Sequence, residues 1–229
     1  YIASGHINSS QSFVMIQCVG SRENDTNYCS RICCLDALKN ALIIKKENPD
    51  IPVSILYRDI RSYGLKEQYY FKARKAGVLF FPYSIEKKPK VLEDGKQFKI
   101  LIEASPIGME LELSASHVVL STGLRPAPDS DKVSELYKLT RNEDNFFVEA
   151  HVKLRPVDFS SEGFFLAGLN HAPKTIDETI AQALAAAGRA GKLLSRDKLT
   201  ISGVTAVHNR EKCMSCLACY KACPFGAPF

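Results

Sequence analysis

The feature that most constrains this chain is the placement of its eight cysteines. They fall into two groups of four: Cys18, Cys29, Cys33 and Cys34, then Cys213, Cys216, Cys219 and Cys223, with none in residues 35–212. A disulfide-stapled secreted protein spreads its cysteines through a small, loop-rich chain. This one has 229 residues, 45% of them hydrophobic, enough to bury a core without covalent staples. Clustered thiols in such a chain point to metal in a reducing compartment, and so to the cytoplasm.

Residues 213–224 read CMSCLACYKACP, which is C-x2-C-x2-C-x3-C-P. Two intervening residues let a tight loop aim successive sulfurs inward, and the terminal Pro stops a helix and turns the chain away. Bacterial ferredoxins space their soft thiolate ligands to a 4Fe-4S cluster in this way. The competing readings are a zinc site or a pair of disulfides. Zinc ligand pairs, however, are usually separated by a dozen or more residues. In two-cluster ferredoxins the fourth Cys of the run serves the other cluster. No second run follows Cys223 before Phe229. The expectation is therefore a fragment of a longer ferredoxin-like domain, with closure of a single cluster by Cys223 as the alternative.

The first group sits in a different context. FVMIQCVG (13–20) is a short apolar run that predicts a buried strand. A polar loop over 24–27 follows, then YCSRICCLDALKNALIIKKENPD, with Leu35, Leu38 and Leu42 at helical spacing and Pro49 as the stop. VSILYRD (53–59) predicts a second strand, so the segment is a βαβ unit of the kind that builds parallel sheets. A dinucleotide-binding unit would carry G-x-G-x-x-G after its first strand, and no G-x-G occurs in this chain. The loop instead carries C-x10-C-x3-C-C. That spacing places four thiols at the strand end and helix start, where a phosphate would sit and where a helix N-terminus favours negative charge. An iron–sulfur cluster in a former nucleotide site is the inference. Packing of an apolar Cys-Cys pair and a redox disulfide between Cys29 and Cys33 or Cys34 are the alternatives.

The rest of the sequence excludes more than it assigns. The formal charge is +5, but the charge runs are mixed in sign, as at Lys45-Lys46-Glu47, and no basic stripe with interleaved aromatics argues for nucleic acid. Two thiolate-bound clusters of roughly −2 each would bring the net to about +1. No apolar run is long enough for a membrane-spanning helix, and the polar residues 1–12 show no signal peptide. GLKEQYYFKARKAG (64–77) predicts a helix. KVLEDG, QFKILIEA and MELELSA predict a meander, with Asp94-Gly95 as a turn. HVVLSTGLRPAP (117–128) predicts a strand ending in a Thr-Gly turn. GFFLAGLNHAPKTIDETIAQALAAAGRAGKLL (163–194) predicts a strand, a loop and a helix whose Ala183, Ala186, Ala187 and Ala190 form a close-packing face.

This order resembles the thioredoxin-reductase-like flavoproteins, which nest one nucleotide-binding domain in another. VVLSTGLRP is similar to their return strand to the FAD domain, and GFFLAG to the strand whose end meets the flavin ribityl chain. More specifically, VMIQCVGSR, YCSRICCLDALKNALIIK, ILYRDIRSYG, GFFLAGLNHAPKTIDETIAQA and CPFGAP together resemble the A-type heterodisulfide reductase subunits, in order and over nearly the whole chain. The resemblance implies an α/β fold of the two-dinucleotide-binding-domain, thioredoxin-reductase-like class. Its parts would be a nucleotide-binding-like domain over 1–115 with a 4Fe-4S cluster in place of the Gly-rich loop, part of an FAD domain over 116–197, and the start of a ferredoxin-like domain over 198–229.

It implies 4Fe-4S clusters on the eight cysteines and FAD contacts at Thr122, Gly123, Gly168, Pro173, Lys174, Ile176 and Gln182. Lys39, just over one helical turn past Cys34, is the implied catalytic residue, its amine directed at flavin N5; an exposed lysine on the back of the helix is the alternative. Lys174 is read either as a positive charge at the flavin O2 edge or as a solvated loop lysine. His171 is a weaker candidate, and Asn170 stands near where simpler relatives place a ribityl-binding Asp. The N-terminal Gly-rich FAD fingerprint is missing from the chain. The implied function is that of an oxidoreductase component relaying electrons between FAD and clusters, in some members by bifurcation. The implied partners are B- and C-type heterodisulfide reductase subunits, ferredoxin, and hydrogenase or formate dehydrogenase subunits, in a dimer within a larger complex. The alternative function is a non-catalytic electron-transfer or scaffold module with no substrate site.

Overall fold

The short apolar runs at 13–16 and 53–56 form strands buried on both faces, as the central strands of a parallel sheet require. The computed structural model describes residues 7–198 and 207–223, and the chain divides into two compact units, Tyr1–Arg125 and Pro126–Phe229. In the first unit Phe13–Ile16 (β1) is buried at every position. Cys33–Glu47 (α1) follows, with Cys34, Ala37, Leu38, Ala41 and Ile44 as its buried stripe. That stripe shares only Leu38 with the Leu35, Leu38, Leu42 series expected from sequence, because small alanines let the helix lie close against the sheet. Asn48 ends the helix by donating its N–H to the Ile44 carbonyl, and Lys45 and Lys46 sit in the last turn, where cations are favoured.

Val53–Tyr57 (β2), Glu67–Lys75 (α2) and Leu79–Pro82 (β3) come next, then Lys90–Asp94 (β4), Gln97–Ala104 (β5), Met109–Ala115 (β6) and His117–Leu120 (β7). The first sheet is entirely parallel in the order β3-β2-β1-β7, and the second is the expected antiparallel meander β4-β5-β6. One core layer joins Phe13, Met15, Val53 and Ile55 to Leu38, Ala41 and Ile44 of α1 and Ala73 of α2. The other joins Val14, Ile16 and Leu56 to Ile100, Ile102 and Ala115 of the meander. The alternation of β1 side chains between these layers is the period-2 pleat.

The strand order reverses at β1: β2 and β3 lie to one side and β7 to the other. In open α/β sheets such a switch point, at the carboxyl ends of the strands, is where ligands bind. The expected return strand to an FAD domain is thus β7, hydrogen-bonded into the first sheet from His117 opposite Phe13 to Leu120 opposite Ile16. The first unit accordingly runs to Arg125 rather than to the expected 115.

The second unit is less regular. Ser130–Tyr137 (α3) and the long Ile176–Leu194 (α4) flank a small aromatic core of Leu139, Phe147, Phe159 and Leu166. The strand expected over 163–168 does not form a ladder. Only a bridge between Asp158 and Phe165 is present, with the Leu166 and Phe159 amides bonded to Val157 and Phe164 carbonyls. Thr175 and Glu178 form a capping box at the start of α4. Of the four alanines expected to pack closely only Ala186 is buried, and Ile176, Ile180 and Leu184 are exposed along the same helix. Ala218–Ala222 (α5) is a single turn near the end of the described residues. Among the described residues no helix is long and apolar enough to cross a membrane.

Candidate metal centre

The loop from Cys18 to Ile32 leaves the carboxyl end of β1 and enters α1, so it occupies the switch point. It is tied to the continuation of β7: Val19 N–H donates to the Ser121 carbonyl (3.0 Å), Leu124 N–H to Ser30 Oγ (2.7 Å), and Tyr28 Oη to the Leu124 carbonyl (2.9 Å). Three non-glycine residues of this loop, Cys18 (φ 61°), Arg22 (φ 61°) and Arg31 (φ 60°), lie in the left-handed region. Such conformations are held only where surrounding structure over-determines them, and they gather at functional sites.

The four thiols of the first group are neighbours. Cys18, Cys29 and Cys33 each act electrostatically on Cys34, and Cys18 and Cys29 on Cys33. Arg31 N–H donates to Cys29 Sγ (3.3 Å), and the Cys34 thiol lies 3.7 Å from the Asp59 carbonyl just past β2. Burial pushes the Cys34 thiol up to about 11, against a hydrogen bond from the Arg61 backbone. Burial also raises Cys18, which a hydrogen bond from Arg22 and the charge of Arg58 partly offset. Cys33 is raised by burial and by Cys29 and Cys18. All eight cysteines are free thiols, so the Cys29 disulfide considered above is not formed. Among the described residues no three His, Cys, Asp or Glu side chains converge tightly enough to grip one metal ion.

The residues present fit an anionic, sulfur-ligated group. Its four donors are soft thiols, and α1 begins at Ile32 without a side-chain cap, leaving amides of its first turn available. Three guanidinium groups gather here. Arg22 bonds Cys18 and pairs with Asp59, Arg61 bonds Cys29, and Arg58 donates to the Arg22 and Ser21 carbonyls. Two buried side chains of the loop have polar atoms without partners: both amide atoms of Gln17, and the Ser21 hydroxyl. An open cleft of about 1040 Å³ runs past Cys29, lined by Arg31, Tyr57, Asp59, Tyr63 and Tyr70. The sequence reading found the four cysteines but missed Gln17, Ser21 and the arginines. The available signal was a Gln interrupting the otherwise apolar run FVMIQC.

The second group lies on a short surface segment. Cys213, Cys216 and Cys219 are exposed, and Cys223 is half-buried. Ser215 (φ 53°) and Leu217 (φ 57°) flank Cys216 in the left-handed region, which curls the chain between successive cysteines, and α5 sets Cys219 one turn before Cys223.

The residues expected at a flavin fall in several environments. Thr122 is exposed. Gly123 (φ 81°) faces the cysteine loop: a Cβ there would stand 2.2 Å from Ser21 Oγ and 2.8 Å from Ser30 Oγ. In the second unit Gly168, Lys174 and Gln182 belong to one network. Gln182 Oε1 accepts from Gly168 N–H (2.9 Å) and Lys174 Nζ (2.7 Å), which turns Gln182 Nε2 toward His171 Nδ1 (2.9 Å). Lys174 Nζ also meets Nδ1 (2.9 Å). Both partners can only donate, so Nδ1 is the acceptor and His171 donates through Nε2 to Glu149 (2.8 Å). Burial opposes the Glu149 charge, but hydrogen bonds from its own backbone and His171, with the charge of Lys174, hold its carboxyl below the usual range. Lys174 is thus buried, at 8% exposure, and the solvated-lysine alternative does not hold. Pro173 is buried beside it, and Ile176 is 78% exposed at the first turn of α4. Lys39 lies on the exposed side of α1, 3.5 Å from Asp36.

The chain is similar to several known proteins. Residues 206–229 match the 4Fe-4S binding domain family. The A-type iron-sulfur subunit of CoB–CoM heterodisulfide reductase from Methanocaldococcus jannaschii is 40% identical over 221 residues, 93% of this chain and 33% of that protein. Over nearly its whole length this chain is similar to one part of the A-type heterodisulfide reductase subunits. The A-type subunit of the H(2):CoB-CoM heterodisulfide,ferredoxin reductase from Methanothermobacter thermautotrophicus is 37% identical over 218 residues, 93% of this chain and 32% of that protein. The chain therefore spans about a third of the length of these relatives. In fold it is similar to thioredoxin reductase from Lactococcus lactis (TM-score 0.52, 18% identity, 80% of this chain and 53% of that one). A similar likeness holds for thioredoxin reductase from T. acidophilum (TM-score 0.51, 18% identity, 84% and 54%). The expected thioredoxin-reductase-like α/β class with a C-terminal ferredoxin-like segment is the observed one.

Proposed function

We propose that this chain carries the cluster-binding portion, and part of the flavin-binding portion, of a cytoplasmic iron–sulfur flavoprotein oxidoreductase of the heterodisulfide reductase type. The observation that carries this reading is the gathering of Cys18, Cys29, Cys33 and Cys34 at the switch point of the parallel sheet. Those four would ligate one 4Fe-4S cluster, and Cys213, Cys216 and Cys219, with Cys223, would serve a ferredoxin-type site. When bound, such clusters pass single electrons, whereas FAD accepts pairs. The chain's own residues position and tune. Arg22, Arg58 and Arg61 offset negative charge at the first site. Loop 18–32 excludes water from its inner face, and the cleft beside Cys29 leaves one edge open to a redox partner. The half-buried Glu149–His171–Lys174–Gln182 network would fix the 168–176 loop, with Gly168, Pro173 and Ile176, toward a flavin. Thr122, Gly123 and Lys39 are the remaining proposed contacts, Lys39 as the charge near the reacting ring. Two relatives' names specify ferredoxin with H(2), or with H(2) or formate. B- and C-type subunits, ferredoxin and a hydrogenase or formate dehydrogenase component are the partners this suggests.

The test is anaerobic iron, sulfide and flavin quantitation on the full-length protein, before and after Cys213, Cys216 and Cys219 are changed to Ser. About four irons assigned to the first group persist if the reading is right. Loss of all iron from this segment with those three substitutions would reduce the first group to packing.

A further inference from the structure

We propose that the Gln17 carboxamide is a positioning and tuning residue for the first cysteine group, donating an Nε2–H hydrogen bond to a sulfur of the cluster held there and raising its reduction potential. The proposal rests on the cluster reading given above.

Gln17 is fully buried, and neither Nε2 nor Oε1 has a partner. Burying an amide in that state carries a desolvation cost for each unsatisfied group, a cost that Leu or Met of similar volume would avoid. Its backbone is fixed at the carboxyl end of β1: the N–H donates to the Leu56 carbonyl (2.9 Å), and the carbonyl accepts from Tyr83 Oη. The direction of the side chain follows from the pleat. Phe13 and Met15 lie in the layer that packs against α1, while Val14 and Ile16 face the meander. Gln17 continues the first series, so its amide lies on the α1 side at the end of the strand. That is where α1 begins with Cys33 and Cys34, and where the Cys34 thiol meets the Asp59 carbonyl beyond β2. Cys18 is the next residue in the chain. Sulfurs are prominent among the polar groups gathered there, and thiolate and sulfide sulfurs only accept hydrogen bonds. An amide N–H beneath them is therefore the matching half of the interaction. Hydrogen bonds to the sulfurs are among the determinants of iron–sulfur potentials, because they favour the more negative, reduced state.

The test uses the full-length protein, purified anaerobically, with Cys213, Cys216 and Cys219 changed to Ser, and the first group's signal is identified as the one lost when Cys34→Ser is added. Gln17→Met keeps volume and removes the donor. Its iron content is expected to match that of the parent. At a fixed potential the reduced-to-oxidised ratio in an EPR-monitored titration is expected to fall about tenfold, a midpoint about 59 mV more negative for a one-electron couple. A midpoint unchanged in Gln17→Met with iron retained overturns the proposal. Should Gln17→Met lose its iron, the wild-type side chain decides: with glutamine labelled at its side-chain 15N, the reduced cluster should show a 15N hyperfine coupling, and its absence refutes the contact. Absence of a Cys34-dependent cluster signal from the parent itself refutes the cluster reading instead, so the two failures are separate results.

Discussion

Gly123→Ala tests how tightly the cysteine loop is held against the end of β7. Two costs add. At φ 81° an L-residue lies in the left-handed region, which costs about 1–2 kcal/mol. The new methyl would also stand 2.2 Å from Ser21 Oγ and 2.8 Å from Ser30 Oγ. Ser30 cannot simply withdraw, because its oxygen accepts from Leu124 N–H at 2.7 Å, and overpacking of this kind costs about 1–3 kcal/mol. The sum is about 2–5 kcal/mol, which for a chain of this size lowers Tm by roughly 4–20 °C. Thermal melts of the metal-free protein measure it. Gly95→Ala is the control, since Gly95 also has positive φ (63°) but has nothing within 4 Å of its would-be Cβ. It should show the backbone strain alone. Ser21→Ala costs little by itself, because that hydroxyl has no partner, and in combination with Gly123→Ala it should restore part of the loss. Equal destabilisation by Gly123→Ala and Gly95→Ala, or strict additivity of Ser21→Ala with Gly123→Ala, would refute the close approach.

Metal-free protein should also lose stability in alkali. Burial favours the neutral Cys34 thiol in the fold and raises it from 9.0 to about 11. Its contribution of about 2–3 kcal/mol is therefore whole below about pH 9 and lost as the pH climbs through about 11; urea melts across that window should flatten in Cys34→Ala. Thr175→Ala should destabilise the second unit by about 0.5–2 kcal/mol. Glu178 accepts from both the Thr175 N–H (2.8 Å) and Oγ1 (3.1 Å); since only the Oγ1 bond is lost in both variants, Glu178→Ala should add less than its separate cost in a double-mutant cycle. The ring of His171 should give 15N shifts of an Nε2–H tautomer, the form that Glu149, Lys174 and Gln182 dictate; an Nδ1–H pattern would show the Gln182–Lys174 network to be wrongly oriented.

What was legible in the sequence is what local pattern controls. The βαβ unit, the helix over 64–77 and the meander follow from apolar periodicity and turn residues, and the cysteine grouping follows from spacing alone. The misreadings concern choices made by partners distant in sequence. GFFLAG has strand propensity, but it meets only a bridge from Asp158 to Phe165, and propensity without a neighbouring ladder leaves a loop. Lys174 reads as a solvated loop residue until Gln182, eight positions on, and Glu149, through His171, are seen to bury it. Gln17 was visible as a polar interruption, but its meaning depends on Cys34 and Asp59 arriving at the same strand end.

The loop at the switch point inverts the logic of a phosphate-binding turn. There, glycines supply left-handed backbone so that bare amides can approach an anion. Here Gly20 is the only glycine between Cys18 and Ile32, and three left-handed positions are filled by Cys18, Arg22 and Arg31. Glycine at each would remove strain of about 1–2 kcal/mol. What it would also remove is the Cys18 sulfur, the Arg22 contacts to Cys18 and Asp59, and the Arg31 bond to Tyr63 at 2.7 Å. Strain is retained where the side chain, rather than the backbone, makes the contact. A loop so built can no longer hold a pyrophosphate on its amides, but it can surround a sulfur-bound anion with guanidinium groups, hydroxyls and the Gln17 amide.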